Sequence, residues 1–230
     1  MKILTKPIKT NEKVTFEIEG FRHKKAHYVD MLDATIGTSD GILKNINFTV
    51  TGGDRIGIIG DNGAGKSTLI KTITKEIPHL SGNVILHPKI KIGYFEQEQT
   101  SLEDDKTIYE TIEELMPGET STMIRKHLAK FLFKREDVFK KVNVLSGGEK
   151  VRLLFATFGL KRYDMIILDE PTNHLDLSAK EELESVLKQY MGTLIVISHD
   201  RYFLNEVINK VFYINNGTYQ IFDGNYEYYL

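Results

Sequence analysis

Apolar and polar positions fall into distinct patterns along this chain. Val14-Thr-Phe-Glu-Ile-Glu19 and Ile46-Asn-Phe-Thr-Val50 alternate, which predicts half-buried strands, the second running into the turn Gly52-Gly53. Arg55-Ile-Gly-Ile-Ile59 is apolar on both faces and predicts a short strand that feeds a glycine-rich turn and then a helix over Lys66–Ile73. Val84–Leu86 and Ile90–Phe95 read as strands on either side of Pro88. From about Leu102 to Asn143 the pattern becomes helical, with Ile108, Ile112 and Leu115 on one face and Met123, Ile124, Leu128, Phe131 and Leu132 on another. Val151–Leu160 is a further apolar helical run. Met165–Leu168 and Leu194–Ile197 are uninterrupted apolar stretches, the pattern of parallel strands buried on both faces. Between them, Ser178-Ala-Lys-Glu181 matches a capping box opening a helix through Leu183, Leu187 and Tyr190. Asn216-Gly217 joins Val211–Asn215 to Thr218–Phe222 as a type I′ hairpin. Strands alternating with helices predict an α/β fold.

With 230 residues the chain is long enough for one such domain, and no internal repeat or low-complexity tract interrupts it. The apolar runs are far short of the roughly 18 residues a membrane helix needs. The opening Met1–Pro7 lacks the apolar stretch of a secretion signal. Without cysteine there are no disulfides or thiolate metal sites, which is compatible with a cytoplasmic location. A net charge of −2 gives the whole chain no strong pull on nucleic acid or anionic membrane, and Arg22-His-Lys-Lys25 reads as a solvated basic loop.

Candidate chemistry comes from short strings in a fixed order. Gly60-x-x-x-x-Gly65-Lys66-Ser67 lies between a predicted strand and a predicted helix, where a phosphate-cradling loop belongs. Gly60, Gly63 and Gly65 let backbone N–H groups close on phosphate, Lys66 reaches the β/γ oxygens, and the Ser67 hydroxyl is a ligand for Mg²⁺. Asp169-Glu170 ends an apolar strand at its carboxyl edge; Asp169 is placed to hold the metal and Glu170 to activate an attacking water. Gln97 follows the strand ending at Phe95 and is a neutral candidate for contacting metal or water, with Gln99 close behind. His199 follows Leu194–Ile197 and can hydrogen-bond a γ-phosphate. Leu145-Ser-Gly-Gly-Glu149 opens a helix; it is either an ordinary cap by Ser146 or a second anion cradle. Two cradles exceed what one nucleotide needs from a small domain, which suggests that the second serves a nucleotide held by another domain.

In this order the strings resemble an ABC-type ATP-binding domain from about Thr35 onward. The resemblance makes Gly60, Asp61, Asn62, Gly63, Ala64, Gly65, Lys66 and Ser67, with Thr68 beside them, the Walker A loop. It makes Gln97 the Q-loop glutamine and a nucleotide and metal contact, with Ser67 and Asp169 as the other metal ligands. Leu145–Glu149 becomes the signature, whose Ser146, Gly147 and Gly148 face a partner's ATP. Met165–Asp169 becomes Walker B, with Glu170 and His199 as the catalytic pair. The implied fold is a P-loop ATPase core with an N-terminal antiparallel β subdomain and a small helical lobe inserted at about 100–145. ATP and Mg²⁺ are the implied cofactors, and the implied partner is a second ABC domain, on a longer chain or as a homodimer.

Pro171–Asp176, Ser198–Leu204 and Gly224–Tyr229 resemble more narrowly the soluble ABC-F group, whose members carry two ATPase domains and act on ribosomes as translation factors or antibiotic-resistance proteins. Only 47 residues lie between Gln97 and Leu145, too few for the inserted arm of that group's first domain. The resemblance is therefore to the second, C-terminal domain, with residues 1–25 as a post-linker extension and edge strand and 26–230 as a single domain. The alternatives are the ATPase subunit of a membrane transporter and a nucleotide-sensing module with negligible turnover. One departure stands out: where the family places an aromatic against adenine, this chain has Ile36-Gly-Thr-Ser39, leaving Tyr28, Phe21 or a partner to take that place.

Overall fold

The computed structural model describes residues 26–38, 42–95, 102–173 and 175–229. The expected extension at 1–25, with its strand Val14–Glu19, and both Gln97 and Gln99 lie outside the described residues.

Two sheets form the body. Strands β1 (His27–Ile36), β2 (Leu43–Thr51) and β4 (Ser81–Leu86) make an antiparallel sheet in the order β2-β1-β4. This is the N-terminal subdomain the resemblance implied. The second sheet runs β5-β6-β7-β3-β8-β9, from β3 (Arg55–Gly60), β5 (Ile92–Phe95), β6 (Met165–Asp169), β7 (Thr193–Ile197), β8 (Lys210–Asn215) and β9 (Thr218–Asp223). All its pairings are parallel except β8 with β9. That hairpin turns at Asn216 and Gly217, both at positive φ (47° and 74°), as a type I′ turn demands.

The apolar runs of β6 and β7 are divided between two cores. Ile166, Leu168, Leu194 and Val196 join the core on one side, while Met165, Ile167, Ile195 and Ile197 join that on the other. Every second residue feeds a different layer, so neither strand has a polar face. On the first side pack α4 (Gly147–Lys161), α5 (Leu177–Gln189) and α6 (Arg201–Val207), together with a lobe made of α2 (Ile108–Glu113), α3 (Ser121–Lys130) and two single 3₁₀ turns. On the second side lie α1 (Lys66–Ile73) and the antiparallel sheet.

Two local expectations need correction. The cap of α5 is Asp176, whose side chain accepts from Ala179 N at 2.8 Å, so the helix starts at Leu177 and Ser178 lies inside its first turn. Asp176 satisfies the Ala179 amide and starts the helix two residues earlier, so the Glu181 amide that a Ser178 box would use is already within the helix. In the lobe, Ile124, Leu128 and Phe131 are buried at spacings of four and three, but Met123 is 45% exposed. It sits about 100° round the helix from Ile124, beyond the narrow stripe that a thin lobe covers.

Candidate functional site

The site gathers at the carboxyl edge of the parallel sheet. Residue Asp169 of β6 pairs in register with Ile197 of β7, so these two strands end together, while β3 pairs with Ile197 at Ile58 and runs two residues further, to Gly60. Strands β6 and β3 flank β7 and lie about 10 Å apart on ordinary strand spacing. The loop after β3 curls back across this gap, bringing Ser67 Oγ to 3.4 Å from Asp169 Oδ2. A cleft of about 800 Å³ opens there, lined by Asn62, Gly63, Gly65, Lys66, Ser67, Thr68, Asp169, Glu170 and His199, and also by Ile42, Asn173 and Ile197.

Loop shape is set by close packing. At Gly60 a Cβ would fall 2.6 Å from Ile214 O. At Gly65 it would fall 2.7 Å from Ile42 Cγ2, on a backbone with φ of 107° that favours glycine. Asp61 accepts from Ala64 N through its backbone carbonyl (3.1 Å), closing the turn. Lys66 Nζ donates to Gly60 O at 2.7 Å and to Asp61 O at 3.0 Å, stapling the start of the loop to the helix that follows it. Helix α1 differs from α2 to α6 in one respect. Side chains of Thr107, Thr120, Ser146, Asp176 and Asp200 cap those five, whereas the N-cap of α1 is Gly65, with no side chain and no acid in the first turn. Its leading N–H groups are left to the cleft, which makes that end a receptor for anions.

Opposite stands the acid. Glu170 has a φ of 50°, and its N–H donates to Ile197 O at 2.8 Å, one step beyond the ladder. Its carboxyl meets the His199 backbone N–H (3.4 Å to Oε2) and the ring Nε2 (3.5 Å to Oε1). Oε1 is buried yet makes no hydrogen bond among the described residues. Burial raises the Glu170 pKa above the ordinary carboxyl value; proximity to His199 works against that shift and the Asp169 charge adds to it. The His199 side chain is 61% exposed and leans into the cleft.

The Ser146 string lies elsewhere. Ser146 caps α4 in a full capping box with Glu149, which also binds Lys140 at 3.0 Å. Gly147 and Gly148 let α4 press against α5: a Cβ on Gly148 would lie 2.8 Å from Glu182 Oε2. None of the three lines the cleft that holds Lys66. Tyr28 is 1% exposed in the core, so it is unavailable to stack on a base. Ile42 and Asn173 were missed in the sequence. Ile42 carried no signal beyond standing just before β2. Asn173 is three residues after Glu170, in the turn where its N–H donates to Glu170 O (3.2 Å).

A family model described as ABC transporter matches residues 43–173. Among curated proteins, YdiF of Bacillus subtilis (strain 168) is 36% identical over 231 residues, covering 100% of this chain and 36% of the relative. ABC transporter F family member 5 of Arabidopsis thaliana is 38% identical, covering 99% of this chain and 33% of the relative. The chain thus spans about a third of the length of these relatives. Among solved structures, cbiO1 from Clostridium perfringens, part of the ABC transporter complex cbiONQ, aligns with a TM-score of 0.70 at 23% identity, covering 89% of this chain and 90% of that one. The ATP-binding cassette MJ0796, a dimer in a post-hydrolysis state with ADP and Pi, aligns at 0.67 and 23%, covering 85% and 98%. At these identities the structural likeness shows the fold alone.

Proposed function

This chain belongs to the ABC transporter family as one of its ATPase domains, and from that premise we propose that it binds ATP·Mg²⁺ in the cleft between Lys66 and Glu170, hydrolyses it, and pairs head to tail with a second ABC domain. The observation that carries this reading is the uncapped end of α1, with Lys66 and Ser67, facing Asp169, Glu170 and His199 across one cleft. The triphosphate would lie along Gly60–Thr68, where backbone N–H groups and the Lys66 ammonium balance its charge.

Ser67 Oγ and Asp169 Oδ2 suit Mg²⁺, which takes few protein oxygens and fills its octahedron with water and phosphate. The ion would neutralise charge on the β- and γ-phosphates. Gln97, outside the described residues, is proposed as a further ligand of the nucleotide and metal. Glu170 would take a proton from the attacking water as the water oxygen bonds to γ-phosphorus and the β–γ bridge breaks; its buried, unpartnered Oε1 is an acceptor suited to that water. His199 would steady Glu170 and the γ-phosphate. Ser146, Gly147 and Gly148 are proposed to meet the nucleotide of the partner domain, with ATP binding closing the pair and hydrolysis reopening it.

Likeness to an F family member, of which the chain spans 33%, supports a domain of a longer protein. That this protein acts on ribosomes in the cytoplasm we propose from the ABC-F resemblance of Pro171–Asp176, Ser198–Leu204 and Gly224–Tyr229. No helix of the described residues is long and apolar enough to cross a membrane. Calorimetry with ATP·Mg²⁺ tests the site: Lys66→Ala should weaken binding at least ~10-fold, about 1.4 kcal/mol, and unchanged affinity would place the phosphates elsewhere. Sedimentation of lysate with ATP tests the partner. Recovery with ribosomes supports this reading, and recovery with membranes supports a transporter subunit instead.

A further inference from the structure

Beyond the ladder of β6 and β7, two segments carry the reacting groups: Glu170–Asn173 holds the acid and Ser198–Asp200 holds the histidine. Among the described residues, the backbone hydrogen bond that ties the first of these to β7 lies at its base, where Glu170 N–H donates to Ile197 O. The next tie is a pair of side chains. Thr172 Oγ1 and Ser198 Oγ lie 3.1 Å apart, buried to 5% and 3% exposure, so one hydroxyl donates to the other. Ser198 Oγ also accepts from Asp200 N at 3.1 Å. Asp200 in turn caps α6 through Phe203 N and binds Lys180 of α5 at 2.6 Å. A hydrogen-bonded run therefore leads from the turn behind Glu170, past His199, to two helices.

Buried hydroxyls are costly unless paired, and Val and Ala would fill the same volume without that cost. A polar pair at the joint between two site segments is therefore suited to fixing their separation. Glu170 gets little help from elsewhere. Its Oε1 has no hydrogen bond, and its two approaches to His199 are long, at 3.4 and 3.5 Å. The geometry points to Thr172 and Ser198 as positioning residues that hold Glu170 and His199 at their working distance for attack on ATP. This rests on the catalytic reading of Glu170 proposed above. Neither hydroxyl touches the cleft, so their effect passes through the two segments they join.

The test is single-turnover hydrolysis of γ-labelled ATP, which reads slow rates, together with calorimetric ATP affinity, in the full chain. Thr172→Val should lower the hydrolysis rate by ~10–100-fold, the loss typical of misplaced catalytic groups, with ATP affinity within about twofold of the parent. Thr172→Ser, which keeps the hydroxyl, should recover most of the rate. Ser198→Ala, which also removes the acceptor for Asp200 N, should be at least as slow as Thr172→Val, and the double variant should be no slower than Ser198→Ala alone, since the Thr172–Ser198 bond is already lost in each single. Parent rates in Thr172→Val, or single losses that multiply in the double variant, would overturn the assignment. Should Thr172→Val fail to fold, Ser198→Ala with Thr172→Ser carries the same comparison. Glu170→Gln separates this from the wider reading: if it too hydrolyses at the parent rate, the role of Glu170 falls. If it is slow while Thr172→Val is not, only the positioning role falls.

Discussion

Replacing Gly65 with Ala adds one methyl group at the cap of α1 and should show whether the loop owes its shape to packing against Ile42. Two costs arise. The backbone has φ of 107°, and an L-residue held at positive φ loses about 1–2 kcal/mol. The new Cβ would also fall 2.7 Å from Ile42 Cγ2, well inside normal contact. Ile42 has little room to retreat, because its N–H is bonded to Ile36 O at 2.8 Å and its side chain is branched at Cβ. Overpacking of this kind costs about 1–3 kcal/mol. The sum, roughly 2–5 kcal/mol, corresponds to a fall in Tm of about 5–15 °C for a chain of this size. ATP affinity should fall as well, since the same residue orients the leading N–H groups of α1.

Denaturant unfolding of Gly65→Ala, Ile42→Ala and the double variant separates the two costs. Trimming Ile42 should relieve the collision but leave the backbone penalty. The double variant is therefore expected to be more stable than the two single losses added together, by about 1–3 kcal/mol. Strict additivity would mean that the methyl and Ile42 never meet. A Gly65→Ala protein within 0.5 kcal/mol of the parent would refute both parts of the reasoning.

Three further outcomes are expected. The raised pKa of Glu170 means that the folded state binds its proton more tightly, so this residue's contribution is fully present below the ordinary carboxyl range and is lost as pH rises through the folded value. Glu170→Gln should accordingly raise Tm at pH 7 to 8, with the gain vanishing near pH 4, while the parent's acid limb of turnover lies above the ordinary carboxyl range; a stabilisation independent of pH would contradict this. Arg55 donates to Leu187 O (2.7 Å), Tyr190 O (3.1 Å) and Val207 O (2.6 Å), joining the C-terminal ends of α5 and α6. A lysine cannot span three carbonyls, so Arg55→Lys should cost about 2–4 kcal/mol in denaturant unfolding while leaving ATP affinity unchanged, because Arg55 is at the other end of β3 from Gly60. Asp176→Ala should destabilise by about 1 kcal/mol and Ser178→Ala by a few tenths at most, and the reverse order would restore the capping box read from the sequence.

The sequence disclosed most where a pattern repeats or a motif fixes its own context. Alternation and apolar runs located β2, β3, β6 and β7, and Asn216-Gly217 named its own turn, because side-chain period and positive φ are local properties. The glycine loop was legible for a similar reason: a strand, a tight turn and an uncapped helix follow one another within a dozen residues. Contacts between residues that no single string joins were not legible. Ile42 reaches the cleft only because β2 begins beside the loop after β3, and the Thr172–Ser198 pair bridges residues 26 apart through adjacent strand ends. Tyr28 misled for the opposite reason, since an aromatic near the right place in the sequence can face inward, as this one does at 1% exposure.

Lys66 shows how one residue can both build the site and serve it. An ammonium has three donors, and two are used on Gly60 O and Asp61 O. Those bonds draw together the end of β3 and the start of α1, so the loop keeps its curvature through the same side chain that offers its charge and remaining donor to a phosphate. Removing it therefore removes a staple as well as a charge, and the loss in affinity combines both. Lys66→Arg distinguishes them. It keeps the charge but puts a planar, longer group where a compact one bonds two carbonyls, so loop geometry suffers while electrostatics persist. Binding by Lys66→Arg close to the parent would show that charge dominates, and binding as weak as Lys66→Ala would show that the shape imposed on Gly60–Gly65 decides affinity.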